Sequence, residues 1–74
     1  MDREIVGKVF HDLRLERGMT QEVLSGLAGV DRSHYSKIEN GLSGPSLETV
    51  FKLAYALNKT PHEIVIAIEK ALDS

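Results

Sequence analysis

A chain of 74 residues has room for one domain and one small core, burying roughly 60–65% of the surface that its unfolded form exposes. Hydrophobic residues make up 42% of it, enough to fold, and the lack of cysteine excludes disulfides, thiolate metal sites and cysteine nucleophiles. The net charge of -2, with acids and bases interleaved from Asp2 to Asp73, argues by itself against a nucleic-acid partner, so any cationic footprint must be local. The opening MDREIVGK has no apolar core, and the longest apolar run, Ile64 to Ile68, is far short of a membrane span. A cytoplasmic protein with no membrane partner is expected.

Helix punctuation then divides the chain. Asp2 is placed to cap a first helix whose stripe is Val6, Val9, Phe10 and Leu13, ending near Arg17 with Gly18 behind it. Thr20 caps a second, with Glu22 in its first turn, although Val23 stands where a capping box would have Glu or Gln. Its inward face reads Leu24, Leu27 and Ala28, and Gly29 can turn the chain sharply. Asp31 caps a third helix running through Glu39 to the Asn40-Gly41 exit, and GLSGPS follows as loop. Ser46 precedes a fourth helix with Leu47, Val50, Ala54 and Leu57 inward, ending near Asn58. The fifth opens on Thr60-Pro61-His62-Glu63, a capping box with proline at the first helical position, and runs to Leu72. Nothing alternates with period two, so the expected fold class is all-α: a single domain over 1–74 with five helices.

Within this order, TQEVLSGLAGVDRSHYSKIEN, residues 20–40, joins a short capped helix, a glycine turn and a second helix, with Leu24, Ala28, Val30, Tyr35 and Ile38 apolar. It resembles the helix-turn-helix of the Cro-like, lambdoid phage-repressor (XRE-type) family, in which two short helices cross steeply and small or apolar residues line the crossing. The resemblance takes in nearly the whole chain, since these domains place one helix before the pair and two after it. It implies a compact lambda-repressor-like DNA-binding domain. It also implies an ion pair between Arg14, late in the first helix, and Glu39, ending the third. Ser25 stands where the family favours Ala, Gly26 costs about 1 kcal/mol inside a helix, and Tyr35 replaces a smaller aliphatic residue.

The resemblance gives the outward face of the recognition helix, residues 31–39, its role. That helix enters the major groove of double-stranded DNA, with Arg32, Ser33 and Lys37 as base readers, Arg and Lys suiting guanine and Ser able to donate or accept. Gln21, at the start of the second helix, and Ser36, Asn40 and Ser43 are the expected phosphate contacts. Asp31 keeps a capping role.

The last helix, 61–72, is apolar nearly all round. Ile64, Ile68 and Leu72 serve the core, which leaves Val65 and Ile66 for a dimer interface, with Tyr55 or Phe51 near it. A homodimer would bind an inverted repeat whose half-sites lie about 34 Å apart.

No cofactor or metal is expected. His11, His34 and His62 are scattered, and His62-Glu63 lacks the second histidine of a zinc-protease helix. The GLSGPS loop lacks a phosphate-loop lysine, no serine sits in a nucleophile turn, and an enzyme is not expected; neither is a small-molecule effector. The function so read is a small transcriptional regulator, similar to restriction-modification controller proteins and phage repressors. An antitoxin, or a protein-interaction adaptor using the same fold, is the alternative, the adaptor being the reading that the negative charge favours.

Overall fold

Each helix begins where a short polar side chain closes on the backbone. In the computed structural model, which describes residues 1–74, α1 spans Arg3–Glu16, α2 Gln21–Ala28, α3 Arg32–Glu39, α4 Leu47–Ala56 and α5 Pro61–Leu72. Asp2 accepts from the backbone N–H groups of Glu4 and Ile5, Thr20 from Val23, Asp31 from His34, Ser46 from Thr49 and Thr60 from Glu63. Caps of this kind are worth about 1 kcal/mol each, which matters where two helices have only eight residues. At α5 the cap is reciprocal, the Glu63 carboxylate accepting from the Thr60 N–H at 2.9 Å.

Between α2 and α3, Gly29 takes φ 69° and ψ 31°, a left-handed conformation that strains any residue with a Cβ. The turn lets the Val30 N–H reach the Ser25 carbonyl at 2.9 Å, and α3 starts only two residues later. Two short helices therefore cross with almost no linker between them.

α1 packs on α3 and α5, α4 on α2 and α5, and α2 on α3. The core they enclose is Val6, Val9 and Phe10 of α1, Leu24 and Ala28 of α2, Tyr35 and Ile38 of α3, Val50, Leu53, Ala54 and Ala56 of α4, then Leu57, Ile64 and Ile68. Ser25 is also buried, its hydroxyl donating to the Glu22 carbonyl at 3.2 Å, which meets the need that Ser raises at an alanine-like position. No helix is long and apolar enough to cross a membrane.

Three expected core positions are exposed. Leu27 is exposed because the buried arc of α2 runs from Leu24 through Ala28 to Ser25, and at about 100° per residue Leu27 falls outside it. Leu47, 72% exposed, lies in the first turn of α4 at the margin of an arc centred on Val50 and Leu57; Leu53, on the opposite flank, is fully buried instead. Leu72 is partly exposed near the C-terminus, so Ile64 and Ile68 carry the core contribution of α5.

Candidate nucleic-acid interface

α3 divides its residues between two environments. Tyr35 and Ile38 are wholly buried, whereas Arg32, Ser33, His34 and Lys37 are exposed. Neither Arg32 nor Lys37 forms an ion pair, so both cations project freely. Asp31 is held at the start of the helix, its Oδ2 accepting from the Ser33 hydroxyl at 2.5 Å and from the His34 N–H at 3.2 Å. Those bonds, the Ser33 one foremost, lower the Asp31 pKa below its ordinary value. The Ser33 hydrogen is thereby committed to the cap, and the oxygen lone pairs are what it can offer outward.

The acid at the other end of α3 is turned inward and neutralised. Glu39, with a side chain only 3% exposed, accepts from Arg14 Nε at 2.6 Å and Nη2 at 3.2 Å, from Gln21 Nε2 at 3.1 Å and from the Tyr35 hydroxyl, and pairs with His11 Nδ1 at 2.9 Å. Arg14 Nη1 also donates to the Met19 carbonyl at 2.8 Å, linking the cluster to the segment before α2. Burial alone would raise the Glu39 pKa, but the hydrogen bonds from Arg14, Tyr35, His11 and Gln21 outweigh it and hold the carboxyl at about 2. Arg14 is raised above its ordinary value, chiefly by its bond to Glu39, and Tyr35 is raised by burial and by the same carboxylate. One carboxylate thus ties α1, α2 and α3 together. No buried side-chain nitrogen or oxygen lacks a partner.

The Arg14–Glu39 pair stands where the family resemblance implied it; Gln21, read there as a phosphate contact, joins it, as do His11 and Tyr35, which were not foreseen. The signal was present for both, since His11 precedes Arg14 by one turn and Tyr35 precedes Glu39 by one turn.

Of the four residues read as phosphate contacts, Gln21 spends one amide hydrogen on Glu39, keeping the other and its carbonyl. Ser36 Oγ accepts from Asn40 Nδ2 at 3.4 Å, so these two share the last turn of α3, and Ser43 is half-buried in the loop that follows. Val65 and Ile66, by contrast, do not share a face. Val65 lines a groove with Met1, Leu47, Val50 and Ile68, while Ile66 lies beside Leu13, Lys59, Glu63 and Lys70.

Comparison with known proteins accords with this geometry. A helix-turn-helix family model, HTH_3, matches residues 10–65. An uncharacterized HTH-type transcriptional regulator, y4dJ of Sinorhizobium fredii, is 36% identical over 63 residues, covering 85% of this chain and 82% of that protein. Among solved structures, the restriction-modification controller protein C.AhdI from Aeromonas hydrophila superposes with a TM-score of 0.82 at 38% identity, over 85% of this chain and 96% of its own. The controller protein C.Esp1396I, solved as a tetramer in complex with its natural 35-base-pair operator, gives 0.88 at 25% identity, over 97% and 95% of the two chains. With five helices, a left-handed glycine between α2 and α3 and a family match over most of its length, the chain belongs to the HTH_3, XRE-type helix-turn-helix family of transcriptional regulators.

Proposed function

We propose that the protein is a sequence-specific regulator of transcription that binds double-stranded DNA with α3 in the major groove. The observation that carries this reading is the outer face of α3, where Arg32 and Lys37 stand exposed and unpaired while its own acid, Glu39, is neutralised inside. A chain of net charge -2 therefore offers a local cationic wedge, which is what groove entry needs. Arg32, Ser33 and Lys37 read bases, Ser33 as an acceptor because its hydrogen belongs to Asp31. Gln21, Ser36, Asn40 and Ser43 set register on the phosphates, aided by the uncapped N–H groups that open α2.

The working form is a homodimer. Leu47, Phe51 and Tyr55 form an exposed apolar row along α4, Tyr55 being 82% exposed, and Val65 of α5 adjoins the end of that row at Leu47. Ile66 is half-buried on another side and lies at the margin of this interface. One molecule measures 31 × 24 × 22 Å, so two copies related by a two-fold axis fit half-sites about 34 Å apart.

Selection of bound sequences from random duplex DNA is the test. An enriched inverted repeat, with affinity falling steeply in salt at a log-log slope near -0.9 per phosphate contact, supports the assignment. If no sequence is enriched, the protein-interaction adaptor becomes the better reading.

A further inference from the structure

The Glu39 cluster has one ionisable member that stands in solvent. The His11 side chain is 44% exposed, against 11% for Arg14 and 3% for Glu39, and Tyr35 is wholly buried. His11 Nδ1 lies 2.9 Å from Glu39 Oε1, an oxygen that, while ionised, only accepts. Nδ1 must then carry the hydrogen, and Nε2, on the far side of the ring, holds a lone pair. Arg14 Nη2, 3.3 Å from Nδ1, directs its hydrogen to the same carboxylate at 3.2 Å.

The same Oε1 accepts from Gln21 Nε2 at 3.1 Å, so the imidazole is seated beside the first residue of α2. Thr20 caps that helix by taking the Val23 N–H alone, which leaves the N–H groups of Gln21 and Glu22 open at the positive end of the helix dipole. We infer that His11, anchored by Glu39, is a further DNA-backbone contact that, when protonated at Nε2, donates to the phosphate facing the start of α2 and so makes DNA binding stronger in mild acid. The inference rests on the DNA-binding reading above.

The charges around the ring permit this. Glu39 faces it from α3, with Tyr35 on its other oxygen, Gln21 faces it from α2, and Arg14 lies one turn along α1. Lys8 and Asp12, on the same helix, are paired with each other at 3.3 Å. From α5, Glu63 and Lys70 gather around Leu13. Since Arg14 and Glu39 cancel, a proton on His11 gives this corner a net positive charge at the point where the chain meets its polyanion.

The experiment measures affinity for the selected operator duplex at pH 8 and pH 6 over a range of salt. Binding should tighten at pH 6 by about tenfold per half-site, as expected of a hydrogen bond with a charged donor. The log-log salt slope should steepen by about 0.9 per protomer. His11→Asn, which keeps a donor for Glu39 and removes Nε2, should lose both changes. His11→Lys, charged at both pH values, should bind tightly at pH 8 and gain nothing at pH 6. Far-UV circular dichroism checks that each variant is folded, and if His11→Asn is not, His11→Lys decides alone. His34 and His62 remain in both variants, so a pH effect that survives in them overturns the inference, as does a wild type whose operator binding ignores pH. Absence of duplex binding at both pH values would instead condemn the DNA-binding reading itself, and His11 with it.

Discussion

Gly7 of α1 lies directly against the backbone carbonyl of Ile38 in α3, so close that a Cβ added to Gly7 would fall well inside 3.0 Å of the carbonyl oxygens of Ile38 and Glu39. Because the obstruction is backbone at the end of a packed helix, it cannot swing aside as a side chain would. Gly7→Ala should therefore destabilise the protein by about 2 kcal/mol or more, the overpacking cost exceeding the helix propensity that Ala brings. Gly26→Ala should do the reverse. Nothing lies within 4 Å of that site and its φ is unstrained, so a gain of about 0.5 to 1 kcal/mol is expected. Urea unfolding of the two variants checks both signs.

Acid should loosen the junction of the first three helices. Glu39 is held at about 2 in the folded chain against a usual 4.5, so the folded state binds fewer protons than the unfolded one between those values. Its contribution, on the order of 3 kcal/mol, is complete above about pH 5 and is lost as pH falls toward 2. Arg14→Met should cost about 3 to 5 kcal/mol at neutral pH by leaving the carboxylate buried without its main partner. Unfolding free energies measured from pH 7 to pH 2 would read both effects; an Arg14→Met variant as stable as the parent would contradict the account.

Base readers and backbone contacts should separate in their effect on specificity. Arg32→Ala is expected to weaken operator binding by about 1 to 3 kcal/mol while binding to unrelated duplexes changes little. Ser43→Ala and Gln21→Ala should weaken both classes of duplex alike, Gln21→Ala also removing one bond from Glu39. Competition titrations with operator and scrambled duplexes distinguish the two patterns, and equal loss of specificity in all three variants would refute the assignment of roles.

The proposed dimer can be tested without touching the core. Val65 is 45% exposed beside Leu47, so Val65→Asp should leave the helix content intact while placing a charge in the proposed interface. Sedimentation equilibrium should show a shift toward monomer at micromolar concentration, with a matching loss of operator affinity. A variant that sediments and binds as the parent does would remove α5 from the interface.

Local chemistry written in the sequence determined where helices start and stop. Asp2, Thr20, Asp31, Ser46 and Thr60 each satisfy backbone donors within a few residues, and Gly29 needs only its own φ to turn the chain. Such interactions depend on neighbours along the chain, and so they were legible from it. The family resemblance, which takes in nearly the whole chain, likewise marked Arg14 and Glu39 as partners across 25 residues. Only the tertiary structure decided which side of each helix meets another. Leu27 and Leu47 are as apolar as Leu53, yet whether they are buried depends on the crossing of α2 with α4 and on where a first turn runs out of neighbours. The same holds for Gly7, whose missing side chain is explained by a carbonyl 31 positions away, and for Gln21, drawn to a buried oxygen of Glu39 by the docking of α2 on α3. Burial and convergence are properties of packed surfaces, which no short window of residues contains.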